Sequence, residues 1–196
     1  RPRWLYDRSA VRGGALRKKE WDYYAVVSQS GGYALAATIS DLGYAGMCAV
    51  TFIDLERGQT VQKDALVPFP LGRMGLEKGS TGDSSVTWAN KTIRLAFIKR
   101  GEKRHLMFAC PSLQLPDGRV GLDADIVLWQ DAGMESIGIA TSWQQNRRAF
   151  YLNEKVNCLP VSGMVRLGHD GINLNPGDAW GTLDWGRGRW TYANRW

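Results

Sequence analysis

The chain has 196 residues, of which 44% are hydrophobic and 22% charged, with 23 Gly and nine Trp. That length supports one sizeable core without disulfide staples, and that composition excludes a disordered or collagen-like chain. The formal charge of +6 is dispersed over short basic clusters such as Arg17/Lys18/Lys19, Lys103/Arg104 and Arg187/Arg189, so no nucleic-acid partner is expected.

Cys48, Cys110 and Cys158 are far apart and odd in number, which argues against a zinc site or a disulfide framework and for a reducing, cytoplasmic compartment. The longest apolar run, 47–53, is too short to cross a bilayer as a helix, so no transmembrane segment is expected. His105 and His169 have no second His or Cys at ligand spacing. No metal and no cofactor are expected, and neither a nucleophile elbow nor a glycine-rich phosphate loop occurs.

Residues 1–20 carry Gly13-Gly14 and a basic run without helical periodicity, and they read as an extended lead-in to a single β-barrel-like domain over 21–196. Two strands, 21–28 and 33–40, flank the turn Ser30-Gly31-Gly32 and form a hairpin with one apolar face. The nearly continuous apolar run 47–55 predicts a strand covered on both faces in the middle of the sheet. A further strand at 60–67 leads into a loop rich in Pro and Gly over 68–82, long enough to serve as a lid or rim.

Strand and turn then alternate through 85–89, 92–100, 104–110 and 122–130, with Pro116-Asp117-Gly118 as a turn in which Pro presets one angle and Gly accepts positive φ. Segments 136–141, 148–152, 155–167 and 180–185 bring the expectation to about ten to twelve strands. No window of a dozen residues carries helical periodicity. The fold class is therefore all-β, an antiparallel meander closed as a barrel or left as an open sandwich.

The chemistry gathers near the C-terminal end, where Trp180-Gly181-Thr182-Leu183-Asp184-Trp185-Gly186-Arg187-Gly188-Arg189-Trp190-Thr191-Tyr192 interleaves an acid, arginines and large aromatics. A wall of aromatic rings packs, seals a layer or stacks on a ligand. Ligand contacts are expected from Trp143, Tyr151, Lys155, Trp180, Trp185, Arg187, Trp190 and Tyr192, with Asp184 as the candidate catalytic acid. A lysine at such a position more often solvates a strand edge than faces a pocket, and Lys155 carries both readings. In an extended strand Thr182 and Asp184 share one face, while Leu183, Trp185 and Arg187 share the other.

Two roles for Asp184 follow. A buried carboxylic acid among tryptophan faces could protonate an alkene and shelter the resulting carbocation. If the Arg187 guanidinium meets Asp184 instead, the pair is a structural clamp, and Trp180, Trp185, Trp190 and Trp196 close one end of a barrel.

The order Thr141-Ser142-Trp143, Phe150-Tyr151, Lys155, Leu159-Pro160-Val161-Ser162-Gly163 and the Asp184-Trp185-Gly186-Arg187-Gly188 core resembles the bacterial and fungal family called domain of unknown function 2804. The earlier Thr38-Ile39-Ser40-Asp41-Leu42-Gly43-Tyr44-Ala45-Gly46 and Phe52-Ile53-Asp54-Leu55 extend the resemblance over most of the chain. That family is distantly similar to the tandem lipocalin-like group of carotenoid hydratases and tocopherol cyclases. The resemblance implies a lipocalin-like (calycin-like) barrel that binds a hydrophobic, isoprenoid-like small molecule, with a lyase or hydratase as the enzymatic variant. A structural or interaction domain whose Trp-rich end packs on a further half is the alternative from another class. The resemblance also implies that this chain is the first half of a longer two-half protein, whose partner is a missing C-terminal half or a second copy in a homo-dimer.

Overall fold

The computed structural model describes residues 6–191. Apart from one short 3-10 turn at Ala15–Arg17, every regular element in that span is a strand. β1 (Lys18–Ser28) and β2 (Tyr33–Asp41) form the expected hairpin, and β3 (Ala45–Asp54) and β4 (Gln59–Pro68) continue it. β5 (Ser84–Ala89), β6 (Arg94–Arg100), β7 (Lys103–Gln114) and β8 (Val120–Trp129) make a second meander. β9 (Ile137–Ser142), β10 (Phe150–Leu167), β11 (Asp170–Leu174) and β12 (Ala179–Arg189) complete the chain.

The strand order β4-β3-β2-β1-β12-β10-β8-β7-β6-β5 is antiparallel at every step, with β9 and β11 both added on β10. Edge strands β4 and β5 do not pair with each other, while β3 and β4 reach β7 across the interior. The molecule is thus a curled sheet forming an open half-barrel or sandwich of lipocalin-like architecture. No helix among the described residues is long and apolar enough to cross a membrane.

β10 is the hinge of this arrangement. The sequence pattern suggests two strands, 148–152 and 155–167, yet the chain runs through as one. Its first half pairs with β12 and β9, and its second half pairs with β8 and β11. The register shifts between Val156 and Leu159, where Cys158 adopts φ 58°. Such a bulge bends and twists a strand, so one continuous segment serves two differently oriented sheet halves.

Three further expectations change. β1 begins at Lys18, so the lead-in is shorter than 1–20 and packs on the barrel through Tyr6, which is buried. β3 lies second from an edge rather than centrally, and its Met47, Thr51 and Ile53 are only half-buried because none of the described strands layers over that face. β11 goes unseen in the sequence, since Gly171, Asn173 and the polar turn around Gly168 hide a short hairpin partner of β10.

The interior is a packed core in which Leu35, Ile39, Leu106, Ile126, Leu128, Leu159 and Leu183 are almost fully removed from water. Alternation along β12 is as expected: Leu183, Trp185 and Arg187 point into this core, and Thr182, Asp184 and Gly186 point to the outer face. The Pro and Gly rich loop crosses one mouth of the half-barrel as a rim, anchored where Met74 and Ser80 are buried.

Candidate functional site

On the outer face, the β12 ladder sets Asp184 opposite Tyr23 of β1 and Lys155 of β10, and Gly186 opposite Trp21 and Asn153. Lys155 donates to one Asp184 carboxylate oxygen in a close ion pair. The Trp21 Nε1–H donates to the other at 3.0 Å, and the Asn153 amide donates to it at 2.6 Å. The Asp184 side chain keeps 23% of its surface in water and Lys155 keeps 34%. This is a part-exposed polar centre, reachable by a small molecule without opening the core.

Aromatic rings surround it on one side. Trp21 stacks on Tyr151 at 5.8 Å, and Trp190 meets Trp21 at 5.8 Å and Tyr151 at 5.9 Å edge-on. Trp143 closes the row against Trp190 at 5.9 Å. The glycines of the motif make this possible. A Cβ at Gly186 would lie 2.1 Å from the Trp21 ring, and one at Gly188 would lie 3.1 Å from Trp190 Nε1. Burial and the nearby Asp184 charge push the Tyr151 phenol up to about 12, so its hydroxyl stays protonated.

The expected clamp between Asp184 and Arg187 does not form, because strand alternation puts them on opposite faces. Arg187, fully buried, donates to Asp22 Oδ1 at 2.9 Å, to the Trp21 carbonyl at 2.6 Å and to the Glu77 carbonyl at 2.8 Å. Its guanidinium also lies 4.6 Å from the Trp185 ring centre. Arg187 therefore locks the rim loop onto the core. Arg104 does the same nearby, donating to the Ser80 carbonyl at 2.6 Å and to Gln130 Oε1 at 2.9 Å.

Nor do the tryptophans close one end together. Trp185 sits in the core, while Trp180 stands exposed on the outer face opposite Val27 and Pro160, farther along the ladder from Asp184. Of the expected ligand contacts, Lys155 bonds Asp184, and Tyr151, Trp190 and Trp143 belong to the aromatic row beside it; Trp180, Trp185 and Arg187 do not join them. Tyr192 and Trp196 lie outside the described residues. Trp21 and Asn153 complete the centre, and the sequence offered only the aromatic start of β1 as a hint. Among the described residues no group of His, Cys, Asp or Glu is arranged to hold a metal ion.

The profile of domain of unknown function 2804 matches residues 1–196, the whole chain. The chain belongs to the DUF2804 family. No curated protein matches it by sequence. Among solved structures, this DUF2804 chain is similar to a protein assigned as AttH from Nitrosomonas europaea, with TM-score 0.61 and 10% identity over 96% of this chain and 57% of that one. It is similar to CghA, solved with Sch210972, with TM-score 0.55 and 12% identity over 88% of this chain and 46% of that one. It is also similar to kievitone hydratase from Nectria haematococca, with TM-score 0.55 and 12% identity over 96% and 56%. At such identities the likeness shows a shared fold. The DUF2804 chain spans about half the length of these structures.

Proposed function

We propose that this chain binds a hydrophobic, isoprenoid-like small molecule on the outer face of β1, β12 and β10, with its polar end at the Asp184–Lys155 pair. The observation that carries this reading is the row Trp21, Tyr151, Trp190 and Trp143 beside a part-exposed ion pair. Aromatic faces with a few placed polar groups are the usual lining of a small-molecule site. The fold shared with a hydratase and with a protein solved with Sch210972 supports the same reading. The packed core directs attention to this face rather than to a hollow interior.

Lipid extraction and mass spectrometry of protein purified from its source is the direct test. A hydrophobic molecule recovered from the wild type and lost with Trp190→Ala would support the proposal; its retention in that variant would remove it.

The enzymatic variant, a lyase or hydratase with Asp184 as acid, has weaker support. Asp184 accepts hydrogen bonds from Trp21, Asn153 and Lys155, and a carboxylate so engaged is an acceptor first. Turnover of an alkene substrate that disappears in Asp184→Asn would restore it.

A structural role is the reading from another class. The same face continues through Trp180, Val27 and Ile137, all exposed, and β4 offers an unpaired edge. A second β-rich half or a second copy of this chain would cover them. Concentration-dependent dimerisation in light scattering, abolished by Trp180→Asp and Ile137→Asp, supports that alternative; a monomer at all concentrations leaves ligand binding as the better account. The unpaired thiols of Cys48, Cys110 and Cys158 accord with a reducing, cytoplasmic setting.

A further inference from the structure

A second groove, of about 490 Å³, lies at the barrel mouth between the lead-in segment and the rim loop. Its walls include Tyr6, Arg8, Lys18, Lys78, Leu71 and Leu76. Its size falls within the roughly 300–1,000 Å³ of small-molecule pockets. The Tyr6 amide donates to the Lys78 carbonyl at 2.6 Å and so fastens the lead-in to the rim loop, and the Gly72 amide donates to Asp41 Oδ2 at 2.5 Å and ties the rim to the end of β2. Gly72 has φ +98°, and a Cβ there would lie 2.5 Å from the Arg8 side chain, so only glycine lets the rim approach this closely.

The charges in the groove do not balance internally. Arg8 pairs with Glu20 at 2.7 Å and Lys78 pairs with Asp7 at 3.2 Å. Among the described residues the Lys18 ammonium donates to the Arg8 carbonyl alone, at 2.7 Å, and Lys18 stands directly opposite Arg189 in the β1–β12 ladder. Among the described residues no carboxylate pairs with either cation. Like charges facing each other across a ladder repel. Burial, then the Arg8 and Arg189 charges against a partial offset from Glu20, hold the Lys18 ammonium below its usual value. The Tyr6 hydroxyl, in the same wall, is buried with no hydrogen-bond partner among the described residues. Leu71 is exposed in the left-handed region at φ 55°, an uncommon conformation for a leucine, and adds an apolar strip.

We infer that this groove binds a monocarboxylate with an apolar tail, its carboxylate at Lys18 and its tail along Leu71 and Leu76. Of the cations that line the groove, Arg8 and Lys78 have carboxylate partners and Lys18 has none among the described residues, Arg189 lying outside the lining, and one such cation suits one negative charge. A dianionic phosphate would set its second charge beside Asp7 and Glu20, which already have their own partners. The carboxylate would supply Lys18 with the charge-assisted hydrogen bond it lacks, and the site is separate from the aromatic face around Asp184.

The test is calorimetric titration of the full chain at pH 8 with decanoate, decanol and decyl phosphate. Decanoate is expected to bind saturably and roughly tenfold more tightly than decanol or decyl phosphate, and Lys18→Met is expected to erase that preference while leaving decanol binding unchanged. Decanoate should also slow acetylation of Lys18 in the wild type, read by mass spectrometry, which serves if the variant does not fold. Equal affinity for decanoate and decanol, tighter binding of decyl phosphate, no saturable binding, or undiminished acetylation of Lys18 would each overturn the inference. So would decanoate binding that survives Lys18→Met and vanishes with Trp190→Ala, because it would place the ligand on the outer face.

Discussion

Asp184 and Arg187 lie in the same strand and never meet: Asp184 takes Lys155 on the outer face, and Arg187 takes Asp22 inside the core. The two halves of the motif therefore do different work. Arg187 holds the rim loop to the barrel, and Asp184 presents a polar centre to whatever contacts the aromatic row.

Replacing Arg187 should be severe. Arg187→Met leaves the buried Asp22 carboxylate without its donor, a cost of about 3–5 kcal/mol for a broken buried pair, and releases the part-buried Glu77 carbonyl. Arg187→Lys should also destabilise, since an ammonium cannot span Asp22, Trp21 and Glu77 as the planar fork does. Urea unfolding checks both. The double variant Asp22→Asn/Arg187→Met should lose less than the sum of its parts.

Asp184→Asn should be mild by comparison. The pair with Lys155 is part-exposed, and such pairs contribute about 1 kcal/mol or less. Thermal unfolding should shift by only a few degrees while binding of the extracted ligand weakens clearly. A large loss of stability with no loss of binding would assign Asp184 to the scaffold.

Gly186→Ala tests the aromatic row. Its Cβ would enter the Trp21 ring, and overpacking of this kind costs about 1–3 kcal/mol. The same substitution in a Trp21→Ala background should cost much less, because the ring it collides with is gone. Tryptophan fluorescence and chemical unfolding of the four proteins read the coupling.

Lys19 predicts a pH effect. Its ammonium donates to the Leu16 carbonyl at 2.9 Å and lies 4.1 Å from the Tyr44 ring centre, and burial brings it down to about 8. In the unfolded chain it keeps its ordinary value of 10.5. Between those values the unfolded state holds a proton that the folded state has released, so the Lys19 contribution to stability rises with pH and is lost as pH falls through about 8. The stability difference between wild type and Lys19→Met should therefore grow from about pH 8 to about pH 10.5 in urea titrations. A flat difference would show that Lys19 ionises as in the unfolded chain.

Much of the fold was legible in local pattern. The β1–β2 hairpin announced itself through alternating apolar residues around Ser30-Gly31-Gly32, and the alternation of β12 correctly separated Asp184 from Trp185. Where the pattern failed, a longer-range effect had taken over. β10 was divided in two because polar Asn153 and Glu154 interrupt its apolar run, yet both are buried, one bonded to Asp184 and the other to Ser80.

The candidate site was half legible. Asp184, Tyr151, Lys155 and Trp190 stood out by residue type, but Trp21, separated from Asp184 by 163 positions, did not. Nothing local could have paired them.

The sequence by itself determined the all-β class, the turns and which side chains share a face, because these follow from the two-residue period of a strand and the backbone freedom of glycine. Only the tertiary structure decided who meets whom. The β1–β12–β10 register brings Trp21, Lys155 and Asn153 to Asp184 and sends Arg187 to Asp22. The rim loop's return over the barrel mouth makes a groove in which Asp7 and Glu20 pair with Lys78 and Arg8, leaving Lys18 without a carboxylate partner among the described residues. Both arise from contacts between segments distant in the chain, whose energies depend on packing in three dimensions rather than on any local preference.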